Sequence, residues 1–219
     1  MQVPSNTIEE QQKTFLPAAG HDWLLPFYDP FVKLIGGDAI RKKLIEQADV
    51  RPGHNVLEIG CGTGSVVVAI KRSQPEAEVT GLDPDPKALE RARKKAQRNS
   101  ASIHFDQGFA GELPYPDHSF DRVISSFMFH HLDDPEKEKT LREVRRVLKP
   151  GGSFHMVDFD PSESGGLLTR LFHGHERLKD NSADRILGLF REAGFSDAKS
   201  TTTGRNLFFS VRYYASSAR

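Results

Sequence analysis

The chain of 219 residues holds 37% hydrophobic and 27% charged residues, a balance typical of one globular domain. Its 30 Lys and Arg equal its 30 Asp and Glu, so it lacks the basic excess with which proteins usually bind nucleic acid. No apolar run approaches the roughly 18 residues needed to cross a bilayer, and residues 1–12 are not ordered as a signal peptide. The single cysteine, Cys61, excludes an internal disulfide and favours a reducing compartment, so we expect a cytoplasmic protein.

Residues 1–50 are predicted to form a polar tail and a helical lid, and residues 51–219 the main domain. Prolines interrupt the aromatic stretch 15–31 and prevent a long helix there. Residues 32–48 have the apolar spacing of an amphipathic helix, and a turn follows at Arg51-Pro52-Gly53.

From residue 56 onward, short apolar runs alternate with segments of helical periodicity. This alternation predicts an α/β fold in which right-handed crossovers build a mostly parallel sheet with helices on both faces. The turn Pro150-Gly151-Gly152 is expected to separate a helix from the strand that follows it. The predicted strands are 56–59, 78–82, 102–105, 122–126, 153–159 and two within 198–215, joined around Gly204 and Arg205; the predicted helices are 65–72, 86–99, 135–148 and 183–193, the last closed by Gly194.

A glycine-rich turn follows the first strand, with Gly60, Gly62 and Gly64 spaced by one residue each. Glycines let the backbone approach a ligand closely, and the N–H groups of the next helix can hold an anionic ligand. The dinucleotide fingerprint has its third glycine one position later, so the spacing disfavours an NAD site. Glu58, at the end of an apolar strand, needs a polar partner. A purely structural tight turn remains the alternative.

Asp83 closes the second strand, 19 residues beyond Gly64. In nucleotide-binding α/β folds, an acidic residue at this place accepts hydrogen bonds from ribose hydroxyls. The alternative is that Asp83 only caps the helix that begins near Pro84 and Pro86. Together with the glycine turn, the pattern favours ribose binding.

Four separated segments resemble the class I S-adenosylmethionine-dependent methyltransferases, and the last two are typical of their type 11 group, which includes the quinone-biosynthesis C-methyltransferases. They are residues 56–64 (VLEIGCGTG), 81–84 (GLDP), 113–121 (LPYPDHSFD) and 143–152 (EVRRVLKPGG). The resemblance implies a Rossmann-like, seven-stranded sheet with an antiparallel last strand. It also implies S-adenosylmethionine as cofactor and S-adenosylhomocysteine as product.

The resemblance implies a role for several residues. The backbone of Gly60, Gly62 and Gly64 would contact the methionine part of the cofactor, where Cys61 supplies a small side chain. The remaining expected contacts are Glu58 near the amino group, Asp83 on the ribose, Pro84 near the adenine, Ser125 and Ser126 under the methionine part, and Tyr28 as a cover.

One departure concerns adenine recognition. Many relatives carry Gly-Asp-Ala after the third strand, whereas this chain has Gly108-Phe109-Ala110 and lacks that carboxylate. We expect Phe109 to lie against the adenine instead, and Asp106 not to substitute from its different place.

The remaining polar residues are predicted to have structural or solvent-exposed roles rather than catalytic or metal-binding ones. His130 and His131 are candidate bases, but a structural role is favoured, and His155 is expected to be an interior or edge histidine. His173 and His175 lack further ligands, so no metal site is predicted. The basic run 91–95 is interpreted as the solvated face of a helix.

The acceptor is predicted to be a small, largely apolar molecule, because aromatic residues gather where ligands bind in this architecture. Ordinary core and lid packing is the alternative explanation for them. Two other functions stay open: an NAD-dependent oxidoreductase, and a regulatory protein that binds S-adenosylmethionine without catalysis. No catalytic residue is assigned. The aromatic and apolar residues on which the acceptor prediction rests are Trp23, Phe27, Tyr28, Phe31, Phe127, Met128 and Phe129.

Overall fold

A computed structural model describes residues 36–160, 182–205 and 210–218 of the chain, with Arg205 described in its backbone only. Helices and strands alternate along most of this length, as the sequence predicts. The helices are α1 (Gly37–Ala48), α2 (Ser65–Ser73), α3 (Pro86–Arg98), α4 (Asp134–Val147) and α5 (Ala183–Glu192); the strands are β1 (Asn55–Ile59), β2 (Glu78–Asp83), β3 (His104–Gln107), β4 (Phe120–Ser126), β5 (Leu148–Phe159), β6 (Lys199–Arg205) and β7 (Ser210–Ser217).

The strands form one seven-stranded sheet in the order β3-β2-β1-β4-β5-β7-β6. Strands β1 to β5 pair in parallel, and β7 runs antiparallel to both β5 and β6. The prediction of a mostly parallel sheet with an antiparallel last strand is therefore confirmed. The order reverses between β1 and β4, which is where this class of fold opens a crevice for ligands.

Two layers of apolar side chains cover the two faces of the sheet. Successive residues of a strand point to opposite faces, so Val56 enters one layer while its neighbour Leu57 enters the other, both with no exposure. Helices α1, α2 and α3 close the layer around Val56, and α4 and α5 close the layer around Leu57. Burial on both faces explains why the central strands are continuous apolar runs.

Helix α1 carries part of the predicted lid region, and it packs into the sheet through Leu44 and Ala48. Residues 1–35 lie outside the described residues, so the lid assignment stays a prediction. Within the described ranges, no helix combines the length and apolarity that crossing a membrane requires.

Several predicted boundaries were wrong. Helix α1 begins at Gly37 rather than at residue 32, and β4 begins at Phe120 rather than at residue 122. Strand β3 begins two residues later than expected, because it pairs with β2 from Thr80 onward. Pro150-Gly151-Gly152 does not separate helix from strand, because it forms an irregular part of β5. The N–H of Gly151 donates to the carbonyl of Ala218, and Gly152 accepts from the N–H of Ala218, so the chain's last residues hold this segment in the sheet.

Candidate cofactor-binding site

The glycine turn joins β1 to α2 at the carboxyl edge of the sheet. Gly60, Gly62 and Gly64 all have positive φ, at 66°, 52° and 76°, a region that side-chain-bearing residues rarely adopt. A Cβ placed on Gly60 would lie 2.3 Å from Cγ of Met128, and one on Gly64 would lie 2.9 Å from Cβ of Ala92. The turn is therefore packed against its neighbours at both ends.

Gly62 differs from the other two glycines of the turn. None of the described atoms lies within 4 Å of a Cβ placed on it. The middle of the turn thus presents bare backbone to open space, which is the cradle that a closely approaching ligand requires.

Asp83 fastens this turn to the end of β2. Its Oδ2 accepts the N–H of Gly62 at 2.7 Å, and its Oδ1 accepts the N–H of Asp85 at 2.9 Å. The side chain that caps α3 is that of Asp85, which accepts the N–H of Lys87, so the alternative of Asp83 as a helix cap was wrong. Burial raises the pKa of Asp83 to about 6, which leaves the carboxylate ionised at neutral pH.

Glu58 lies beneath the turn and is 2% exposed. Its Oε2 accepts the N–H of Val67 in the first turn of α2, at 3.2 Å. Burial raises the pKa of Glu58 to about 8, although the nearby charges of Arg41 and Lys95 act in the opposite direction. The site therefore holds a buried carboxyl group that a cationic ligand would ionise.

The buried state of Glu58 predicts a pH-dependent stability. Its folded pKa of about 8 lies above the ordinary value of 4.5 for a glutamate, so the unfolded chain releases the proton first and stability falls as pH rises between these values. The variant Glu58→Gln keeps the shape of the side chain but cannot be ionised, so we expect its stability not to fall with rising pH. In the wild type this fall is at most about 1.4 kcal/mol of unfolding free energy per unit of pKa shift. Urea unfolding of both proteins at pH 5 and pH 9 measures the difference. A variant less stable than the wild type by the same amount at both pH values would contradict the prediction.

The end of β4 supplies the next wall of the site. Ser125 is fully buried, and its Oγ makes no hydrogen bond within the described part of the chain, whereas Ser126 is half-buried. Phe127 follows with a φ of 54°, a strained value for a bulky residue. Its ring lies 4.9 Å from that of Phe159, which ends β5.

The segment after β3 closes the opposite side. Gly108 donates its N–H to the carbonyl of Asp83 at 3.2 Å, so Phe109 and the end of β2 stay together. The side chain of Gln107 likewise holds the carbonyl of Pro84. Asp106 is engaged elsewhere, accepting from Tyr115 Oη at 2.9 Å and lying 2.9 Å from His104 Nε2.

His130 is anchored to the end of β5. Asp158 accepts its backbone N–H at 2.9 Å and its ring Nδ1 at 2.7 Å, and both residues are buried. Burial acts to raise the pKa of Asp158, but the His130 ring and the backbone N–H groups outweigh it and hold that pKa below its usual value. The pair shapes the turn after β4.

His155 is a further histidine of the sequence analysis that the structure describes. His155 is an interior residue whose ring contacts Gln47 and Ser153, and burial lowers its pKa to about 4. Among the described residues, no group of three or more His, Cys, Asp or Glu side chains could hold a metal ion. His173 and His175 lie outside the described residues, as do Trp23, Phe27, Tyr28 and Phe31.

Sequence reasoning missed Lys95. The basic run 91–95 is not one solvated face, because Ala92 is buried under Gly64 and Lys95 Nζ contacts Ser65 Oγ at 2.7 Å. The i, i+3 spacing of these two residues was the available signal. The side chain of Cys61 is buried against Gly81, so only its backbone faces the open side of the turn.

Comparison with known proteins decides the family. A family model described as a methyltransferase domain matches residues 56–152. A demethylmenaquinone methyltransferase of Thermus thermophilus is 34% identical over 154 residues, which are 68% of this chain and 69% of the relative. The chain belongs to the class I S-adenosylmethionine-dependent methyltransferases. Its methyl donor is S-adenosylmethionine, as the resemblance of the four segments implied.

Further comparisons agree with this assignment. A demethylmenaquinone methyltransferase of Deinococcus radiodurans is 37% identical over 137 residues, so the match spans 62% of this chain but only 56% of that relative. The crystal structure of the YcgJ protein from Bacillus subtilis has the same fold, with a TM-score of 0.68 at 23% identity. The superposition covers 82% of this chain and 97% of that one. Family membership places the chain in the type 11 group and removes the NAD-dependent alternative.

Proposed function

We propose that this methyltransferase transfers the methyl group of S-adenosylmethionine to a small, largely apolar acceptor of the quinol or phenol type. The observation that carries the acceptor class is the aromatic pair Phe127 and Phe159, which stands at the carboxyl edge beside the glycine turn. Both rings are half-buried, so they offer an apolar surface next to the cofactor. The two demethylmenaquinone methyltransferase relatives support the same class.

The cofactor is proposed to lie across the carboxyl ends of β1, β2 and β4. Gly62 offers bare backbone to the methionine part, Glu58 a carboxylate to its ammonium group, and Asp83 an ionised acceptor to the ribose hydroxyls. Phe109 would lie against the adenine in place of the missing carboxylate. The full set of proposed contacts is Glu58, Gly60, Cys61, Gly62, Gly64, Asp83, Pro84, Gly108, Phe109, Ser125 and Ser126, with Tyr28 proposed as a cover.

In the mechanism, the bound cofactor supplies an activated methyl group on a sulfonium. The chain's own residues contribute chiefly by position, since holding two reactants in line accounts for much of the rate of such a displacement. Phe127 and Phe159 exclude water from the acceptor and align its ring. His130 is assigned to holding the turn that carries Phe127, through its two bonds to Asp158.

The second candidate function is a regulatory protein that binds S-adenosylmethionine without transferring its methyl group. The sequence Gly108-Phe109-Ala110 favours it, because a common adenine contact of the family is missing.

We further propose a cytoplasmic location and no nucleic-acid partner, on the basis of the single cysteine and the equal numbers of acidic and basic residues.

The test combines calorimetry with a transfer assay. S-Adenosylhomocysteine should bind the wild type in the calorimeter. In the transfer assay, the radiolabelled methyl group should appear in a demethylated naphthoquinol, but not in polar metabolites of similar size that have no phenol or quinol ring. Phe159→Ala should raise the KM for the quinol by roughly ten- to 100-fold, since burying such a ring is worth ~1.5–3 kcal/mol, and leave the KM for S-adenosylmethionine unchanged. Binding without transfer to any acceptor would favour the regulatory function. An equal rise in both KM values would refute the placement of the acceptor beside Phe159.

A further inference from the structure

A lysine of helix α3 reaches under the glycine turn. Lys95 Nζ lies 2.7 Å from Ser65 Oγ and 3.1 Å from Thr63 Oγ1, and both hydroxyls flank Gly64 at the entrance of α2. Thr63 is buried and Lys95 is half-buried. The ammonium group therefore joins two elements that are 30 residues or more apart in the sequence, at the place where the turn becomes a helix.

This contact is the second of two by which α3 supports the turn. The first is steric, because Ala92 lies so close beneath Gly64 that a Cβ there would be 3.2 Å from the Ala92 backbone. Ala92 and Lys95 lie three residues apart and thus on the same face of the helix. Ala92 limits how far the turn can move toward α3, and Lys95 limits how far it can move away.

The placement of the charge has an electrostatic cost. The N-terminus of a helix carries a partial positive charge, so an ammonium group beside the first residue of α2 is disfavoured by the helix dipole. Such a position needs acceptors nearby, and those among the described residues include the two hydroxyls, with the carboxyl group of Glu58 near enough to interact with the charge. A lysine with no role in the turn would have a more favourable position in solvent, as its neighbour Lys94 does beside the exposed Glu90.

We propose that Lys95 is a positioning residue for cofactor binding, whose ammonium group holds Thr63 and Ser65 so that the glycine turn keeps its open, ligand-accepting form. The inference rests on the cofactor site proposed above. Lys95 acts through the turn and contacts no reacting atom.

The same charge acts on Glu58, which gives the proposal a second readout. Among the described residues, the groups that interact with Glu58 are Arg41 of α1, the Val67 N–H of α2, Asp83 of β2, Lys95 of α3 and the Cys61 thiol of the glycine turn. Arg41, Val67 and Lys95 favour the ionised carboxylate, and Asp83 opposes it. Removing Lys95 should therefore raise the pKa of Glu58 and shift the pH at which the site accepts an ammonium-bearing ligand upward.

The experiment compares Lys95→Met with Lys94→Met, which removes the same charge from the same helix without touching the turn. Affinity for S-adenosylhomocysteine is measured by calorimetry from pH 6 to pH 9, with thermal unfolding as a check on the fold. Lys95→Met should bind about tenfold more weakly, as the loss of one charge-assisted hydrogen bond predicts. The pH at which its affinity begins to increase should also be higher than the corresponding pH of the wild type. Lys94→Met should match the wild type in both respects, and Lys95→Arg should recover most of the affinity.

The outcomes separate this inference from the proposed function. Equal affinities and equal pH profiles for the Lys95→Met and Lys94→Met variants would overturn it, as would a Lys95→Met variant that loses only thermal stability. A wild type that fails to bind S-adenosylhomocysteine would overturn the proposed function itself, and the inference with it.

Discussion

Gly62→Val is expected to lower the affinity for S-adenosylhomocysteine by roughly 100-fold or more while the fold persists. Nothing described lies within 4 Å of the added Cβ, so the side chain clashes with none of the described residues. It would instead fill the space that the methionine part of the cofactor needs. The backbone strain of a side chain at φ 52° adds a stability cost of about 1–3 kcal/mol.

The matched control is Gly53→Val. Gly53 also has a positive φ, of 76°, and open space around its Cβ position, but it lies in the turn before β1 at the opposite edge of the sheet. Both variants should lose a similar amount of thermal stability, and only Gly62→Val should lose binding. Calorimetry on the two variants tests this, and undiminished affinity in a folded Gly62→Val protein would refute the cofactor placement.

Asp83→Asn is expected to weaken cofactor binding by roughly 100-fold, because one substitution removes two functions. The carboxylate accepts the N–H groups of Gly62 and Asp85 with its two oxygens, and it is the proposed acceptor for the ribose hydroxyls. An asparagine has one oxygen, so its amide NH₂ would face one of the two N–H donors, and either the turn or the start of α3 would lose its hydrogen bond to this side chain.

Asp121→Asn provides the comparison for this variant. Asp121 also accepts a backbone N–H, that of Asn55 at 2.8 Å, and contacts Lys149, but it lies at the amino edge of the sheet. We expect this control to lose stability and to bind S-adenosylhomocysteine as the wild type does. If Asp83→Asn bound the ligand within threefold of the wild type, Asp83 would not be the ribose contact.

Local chemistry predicted most elements of this fold within one or two residues. It was wrong where distant segments intervene. Pro150-Gly151-Gly152 has the composition of a turn, yet the N–H and carbonyl groups of Ala218 hold it inside β5. The sequence also could not show that β7 enters the sheet between β5 and β6, because strand order depends on pairing between segments far apart along the chain.

The candidate site shows the same division. The sequence was sufficient to predict the glycine turn and the acidic residue that ends the second strand, because each depends on only a few neighbouring residues. The contact of Lys95 with the turn could not be predicted in this way, because its sequence neighbours are basic and a run of charges suggests a common solvated face. In a helix, consecutive side chains point about 100° apart, so Lys94 faces water while Lys95 reaches Ser65.

The sequence by itself determined the alternation of strands and helices, the glycine turn and the resemblance to a methyltransferase family. Only the tertiary structure decided the electrostatic state of the site, since the pKa values of Glu58 and Asp83 depend on burial and on charges from other elements. It also decided that Asp83 holds the turn while Asp85 caps the helix. The physical reason is that dielectric environment and hydrogen-bond partners are set by contacts between segments that the order of residues does not place together.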